Sequence, residues 1–296
     1  MTMEPRELVI RSDALEAVLL PELGARVHRL RAFGHDLLRT PSDPAAHAAD
    51  PFSWGAYPMA PWCNRAPPGR RVVAGRPVDL APNFADGSAI HGLVSAERWE
   101  EEPDGMLGIR RGGAGDAWPW PFEVRLVPTI DRSTLTLDYH LTNRSDGPMP
   151  AGIGLHPWFR RPLELGLPSA KVYATNLDSP AQPEPAAGRF DLSAPAFPAE
   201  DLDATWTGLR PPRIVLNWPR AGVSATMDVA TSGPSVLVAV ASPAGTGAVA
   251  IEPQTHGPDP LRRFERGEPD APLLLDAGDT LRLTLTLTVA RTGNVQ

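Results

Sequence analysis

Leu281-Arg282-Leu283-Thr284-Leu285-Thr286-Leu287-Thr288-Val289 alternates apolar and polar residues without a break. Successive side chains of a β-strand point to opposite faces, so this run buries four leucines and Val289 and leaves Arg282 and the threonines wet. Upstream, Leu135, Leu137, Tyr139 and Leu141 alternate with Thr134, Thr136, Asp138 and His140 in the same way. Shorter strands are expected over Leu8 to Arg11, Leu15 to Leu20, Glu123 to Val127, Arg213 to Leu216, Val236 to Val240 and Val249 to Ile251. Turn chemistry separates them at Asn143 to Pro148 (NRSDGP), Ser242 to Gly247 (SPAGTG) and Asp276 to Asp279 (DAGD). Helical periodicity is scarce: Leu261 to Glu268 supports a turn or two. Many short strands with Pro/Gly punctuation predict an all-β sandwich or barrel.

The strand pattern resumes after each of two excursions, Thr40 to Trp54 and the Pro/Ala-rich Leu177 to Pro198, so residues 1–296 are read as a single domain. Hydrophobic residues at 42% and charged residues at 21% are enough for a sizeable core. A net charge of −7 offers nothing to a phosphate backbone or an anionic membrane, so neither nucleic acid nor membrane is an expected partner. Lys171 is the only lysine; with 35 prolines, the arginine bias reads as a base-composition effect. A single cysteine, Cys63, excludes an intrachain disulfide and a multi-thiolate metal site. The start lacks a basic segment followed by an apolar core, and Val236 to Ala241 is too short to cross a bilayer, so a cytoplasmic protein is expected.

Four stretches carry candidate chemistry: Tyr57 to Arg65 (YPMAPWCNR), Ile90 to Leu93 (IHGL), Gly154 to Phe159 (GLHPWF) and Ile251 to His256 (IEPQTH). Pro157 biases His156 toward an extended backbone, which suits a catalytic imidazole and equally a satisfied core histidine. Glu252 closes an apolar strand, as a partly buried carboxylate or as one turned to solvent. His91 beside Gly92 has one side of its ring uncrowded and can equally be a buried histidine bonded to a backbone carbonyl. Arg65 offers a fork of donors for hydroxyls or for a structural ion pair. Trp62 and Trp158 can pack against a sugar face or into the core. His256 lies four residues beyond Glu252, but Pro253, Gly257 and Pro258 oppose the helix that a zinc motif at that spacing needs. His140 is expected on a wet face and Cys63 in packing. Arg111 to Gly115 (RGGAG) lacks the setting of a dinucleotide loop.

Taken in order, these stretches resemble the aldose 1-epimerase (galactose mutarotase-like) superfamily from about Gly24 to the last strand. The resemblance implies a large antiparallel β-sandwich, the mutarotase-like supersandwich. It also implies an isomerase that opens and recloses the hemiacetal ring of an aldose without cofactor or metal. Within it, Glu252 is the base and His156 the acid, while Arg65, His91 and Asp203 (in LDATW, with Asp201 close by) bind the sugar. A metal site from His91, His156 and Glu252 is conceivable on residue type but not called for. Departures from the usual motif, such as Ala66-Pro67-Pro68 after Asn64-Arg65, leave the sugar open. Arg70 and Arg71 make a hexose 6-phosphate conceivable. A non-catalytic carbohydrate-binding or sensing module on the same sandwich is the alternative from another class, and a monomer or homodimer is expected.

Overall fold

The computed structural model describes residues 5–292. Its longer sheet runs through Leu8–Arg11, Leu15–Leu20, Arg26–Ala32, Ala56–Met59, Gly154–Arg160, Ala248–Gln254, Leu237–Ser242, Leu202–Thr207, Lys171–Tyr173 and Glu184–Pro185, with His35–Asp36 beside Arg26–Ala32. The second runs through Glu100–Glu101, Leu107–Arg111, Phe122–Asp131, Thr134–Asn143, Thr280–Arg291, Val223–Thr231, Arg213–Trp218 and Glu164–Gly166. Pairing within both is antiparallel. Among the described residues, α-helix is confined to Ala46–Ala49 and Pro260–Arg266, and none is long and apolar enough to cross a membrane.

The two alternating runs are sheet neighbours. Leu135 faces Leu287, Leu137 faces Leu285, Tyr139 faces Leu283 and Leu141 faces Leu281. Cross-strand pairs of this kind stabilise a sheet, and here they also build one continuous apolar face. On the opposite face Thr134 bonds Thr288 at 3.1 Å and Thr142 bonds Thr280 at 2.9 Å. The apolar face packs against the longer sheet, with a small void of about 30 Å³ between them. That residue of space is lined by Val27, Leu155 and Phe159 from one sheet and Leu137, Met227 and Leu285 from the other. The architecture is the expected all-β sandwich.

Strands are longer than their apolar runs. The stretch expected over Glu123 to Val127 becomes Phe122–Asp131, and Val249 to Ile251 becomes Ala248–Gln254, because backbone pairing continues wherever a partner strand lies alongside. Val223–Thr231 is a strand absent from the expected set although it has a period of two, Val223, Ala225, Met227 and Val229 being buried and alternating with Ser224, Thr226 and Asp228. It is recruited between Arg213–Trp218 and Thr280–Arg291. The short helix Pro260–Arg266 starts on a proline and stops at Gly267, whose φ of 61° breaks it.

The Pro/Ala-rich excursion is largely irregular but pinned. Arg263, wholly buried, donates to Ser179 Oγ (3.2 Å) and to the carbonyls of Pro180 (2.8 Å) and Ala181 (3.1 Å). It also donates to Pro258 (2.5 Å) and Pro269 (3.1 Å), and its guanidinium lies 4.2 Å from the centre of the Tyr173 ring. One side chain from the helix thus ties the loop to the strand beneath it.

Candidate active site

The site is a row drawn across the longer sheet. Ala56–Met59 pairs with Gly154–Arg160 so that Tyr57 faces His156. On the other side the register Gly154↔Gln254 and Trp158↔Ala250 sets His156 opposite Glu252. Antiparallel neighbours directly opposite one another project to the same face, so Tyr57, His156 and Glu252 come together in one pocket of about 420 Å³. Arg65, His91, Asp203, Trp158, Phe52 and Asn176 also line it.

His156 Nε2 lies 3.1 Å from Glu252 Oε1, and both residues are buried, with 4% and 3% of their surface exposed. Burial opposes charge on each of them. It pushes Glu252 well above the ordinary carboxylate range, with Asp203 adding to the effect and Arg65 opposing it. It pushes His156 down to about 3, helped by Arg65 and Arg26. A contact at 3.1 Å invites an ion pair, but desolvation of both groups favours the neutral pair, a carboxylic acid donating to an imidazole. Either way one proton is shared between two strands. His156 Nδ1 is buried without a hydrogen-bond partner among the described residues.

This environment has a stability consequence. Because Glu252 titrates higher in the folded chain than in the unfolded one, the folded state holds the extra proton above the unfolded value of about 4.5. Stability tied to that proton is complete at acid pH and falls as pH rises through the folded value. Glu252→Gln, neutral throughout, is therefore expected to melt above the wild type, by a margin that widens from pH 5 to pH 9 in calorimetry.

His91 has a φ of 60° in the turn after Ala89–Ile90. Its Nδ1 accepts the backbone N–H of Asn64 at 3.2 Å, so Nε2 carries the proton of the neutral ring. Burial, with His156 and Arg65 nearby, holds it neutral, well below the usual range. Its ring meets that of His156 edge-on at 4.9 Å. His91 is thus a fixed donor. Gly92 sets the turn: its φ is 74° and a Cβ there would stand 2.0 Å from the Ala60 carbonyl oxygen. Gly92→Ala is expected to cost about 3 kcal/mol or more in urea unfolding, because the methyl collides with the Ala60 backbone in addition to straining the positive φ.

The ligand-type atoms of His91, His156 and Glu252 lie within 4.8 Å of one another, close enough to ask whether they hold a cation. Nε2 of His91 would have to give up its proton, which would move to Nδ1 and confront the Asn64 N–H already bonded there. The donor set suits proton traffic better than a metal, and no cation site is assigned.

Arg65 stands between two carboxylates. Nε donates to Asp86 at 2.7 Å, while Nη1 is 3.8 Å from Asp203 Oδ2 at the pocket. Asp203 is held by Asn176, whose amide donates to its Oδ1 at 2.6 Å; Asp201 lines the same rim but is exposed. Trp158 forms a wall, its indole donating to the Phe52 carbonyl at 2.6 Å. Trp62 does not reach the pocket. It is 1% exposed and packed against Trp118, because the turn that presents Asn64 and Arg65 sends Trp62 inward; its sugar-facing reading is corrected to a core one. His256 is structural, with Nε2 accepting the Cys63 N–H at 2.9 Å. His140 pairs with Asp138 at 2.8 Å. Arg70 is bound to Asp79 in the Gly69–Val73 and Arg76–Leu80 hairpin, and neither it nor Arg71 lines the pocket.

Sequence reasoning gave no role to Tyr57, Phe52, Phe84, Asn176 or Arg39, all of which line the pocket. Tyr57 stood inside a quoted motif, and the strand register was the missing clue. Phe52 and Arg39 come from the first excursion and its approach, where no periodicity marks them.

A family model for aldose 1-epimerase matches residues 6–288. An Escherichia coli (strain K12) protein, the uncharacterized protein YphB, is 26% identical over 234 residues, 72% of this chain and 77% of its own. Several solved structures share the fold. A galactose mutarotase-like protein from Clostridium acetobutylicum superposes with a TM-score of 0.81 at 15% identity, over 97% of this chain and 96% of its own. The GalM/aldose epimerase homologue from C. elegans gives 0.77 at 18% identity, over 98% and 100%. With nearly its whole length matched, the chain belongs to the aldose 1-epimerase family.

Proposed function

We propose that this protein is an aldose 1-epimerase, interconverting the α and β anomers of a sugar by acid–base opening of its hemiacetal ring. The observation that carries the reading is the buried His156–Glu252 contact at 3.1 Å in a pocket that also receives a fixed neutral donor, His91. The competent form is one proton shift from the neutral pair: Glu252 becomes the carboxylate and His156 the imidazolium. Glu252 then takes the proton of the C1 hydroxyl while His156 gives one to the ring oxygen. The bond from C1 to the ring oxygen breaks, and the open-chain aldehyde forms. Rotation about C1–C2 exposes the other carbonyl face. The ring hydroxyl attacks it, His156 takes back its proton and Glu252 returns the other to the new C1 hydroxyl. Arg65, His91 and Asp203 would hold the hydroxyls, and Trp158 would lie against the sugar face.

One observation favours a narrower substrate. Arg39 lines the pocket with no carboxylate within 4 Å among the described residues; it donates to the Ser53 carbonyl at 2.6 Å and lies over Trp54. A cation so placed would suit the phosphate of a hexose 6-phosphate better than a hydroxyl.

Polarimetry on freshly dissolved α-D-glucose and α-D-galactose, followed by hexose 6-phosphates and deoxy sugars, tests both readings. Faster equilibration of any of them identifies an epimerase and its sugar class. Sugar binding with no acceleration across the panel would instead make this a binding or sensing module.

A further inference from the structure

The row across the sheet does not stop at His156. Tyr57 faces it from the neighbouring strand, and the two rings are stacked, with centroids 4.5 Å apart and planes 19° from parallel. On the next strand Val27 pairs with Ala56, which brings Arg26 alongside Tyr57. The Arg26 guanidinium lies 5.5 Å from the centre of the Tyr57 ring. Glu252, His156, Tyr57 and Arg26 therefore occupy four consecutive strands of one sheet.

Arg26 is an unusual member of such a row. It is wholly buried, and among the described residues no carboxylate lies within 4 Å of it. Its donors are spent on the carbonyls of Leu23 (2.6 Å), Pro51 (2.9 Å) and Ser95 (2.5 Å), while Nη1 meets His47 Nδ1 at 3.1 Å. Burial pulls it down only to about 10, so it stays a cation at neutral pH. His47 and His28 beneath it are held neutral, at about 2 and about 4, chiefly by burial and secondarily by arginines close by. Against burial, Tyr57 and then the more distant Asp50 favour its charged form. Tyr57, with its hydroxyl bonded to the Phe52 carbonyl at 3.2 Å, is a neutral phenol raised by burial.

We propose that Tyr57 and Arg26 are positioning residues for the proton carrier: Tyr57 sets the plane of the His156 imidazole, and Arg26 sets a buried positive charge, with no carboxylate within 4 Å among the described residues, behind it. A flat ring stacked on one face of an imidazole stops it from tilting, so Nε2 stays aimed at Glu252 and at the substrate oxygen. A cation beyond that ring disfavours the imidazolium and favours the Glu252 carboxylate, so it lowers the pH at which both members of the pair titrate. The other charged or titratable groups facing His156 are Glu252, His91 and Arg65, and none of these lies behind the imidazole as Arg26 does.

The proposal rests on His156 as the proton carrier, and its test separates the two claims. Arg26→Gln keeps amide donors and removes the charge. It is expected to raise the protonation midpoint of His156 by about one pH unit, read from ¹⁵N chemical shifts of the imidazole, which needs no turnover. The pH profile of mutarotation should move the same way on both limbs. Tyr57→Leu should lower kcat about tenfold with KM within about twofold, and Tyr57→Phe should recover most of that loss by restoring the stack. Should Arg26→Gln fail to fold, the two Tyr57 variants decide. An unshifted imidazole in folded Arg26→Gln, or a kcat that Tyr57→Leu leaves intact, would overturn the proposal. A wild type inactive on every sugar, with the shift present, would overturn the catalytic reading and leave the electrostatic row standing.

Discussion

Glu252→Gln and His156→Asn should each remove the catalysed part of mutarotation, lowering the rate above the uncatalysed background by about 10²–10⁴-fold. The expectation follows from the shared proton. With glutamine at 252 nothing can take the C1 proton, and with asparagine at 156 nothing can carry one to the ring oxygen. The double variant should be little slower than either single one, because the two groups act as a unit. Polarimetry at several enzyme concentrations separates the catalysed slope from the background. If Glu252→Gln retains more than about a tenth of the slope, the base lies elsewhere. Misfolding is not a ready excuse for an inactive variant: relief of a buried carboxylate should make Glu252→Gln at least as stable as the wild type.

Arg263→Met should destabilise the chain by about 3 kcal/mol or more, seen as a lower urea midpoint at an unchanged slope. Methionine fills much of the volume but donates nothing. Four carbonyls and the Ser179 hydroxyl lose their partner, and Tyr173 loses the cation over its ring. Lysine should rescue little, since one ammonium cannot reach acceptors spread around a planar fork. The loop that Arg263 ties down follows Asn176, which holds Asp203 at 2.6 Å. A folded Arg263→Met should therefore show a raised KM with kcat less affected. Stability within 1 kcal/mol of the wild type would mean that the loop is anchored by something else.

The candidate residues were picked out because each sits in a short motif and the ordered set resembles the aldose 1-epimerase family; adjacency alone left each open between a site role and a structural one. His156 beside Pro157, Glu252 at the close of an apolar run, and His91 before Gly92 are adjacency facts. The sandwich was legible for a related reason: a period of two over Leu281 to Val289 has one structural meaning. Those features depend on near neighbours in the chain, and a sequence states near neighbours directly.

Tertiary structure decided the rest. Whether His156 meets Glu252 depends on the register of two strands distant in sequence, and a shift of one residue would turn one of them to the other face. That same register supplied Tyr57, and the next strand supplied Arg26, neither of which has local chemistry to announce it. Trp62 and Trp158 look alike in sequence; the path of the chain sent one into the core and made the other a pocket wall. Sequence by itself determined which side chains alternate and which chemistry they carry. Strand order determined which of them meet, because hydrogen-bond pairing between strands far apart in the chain leaves no periodic trace in either one.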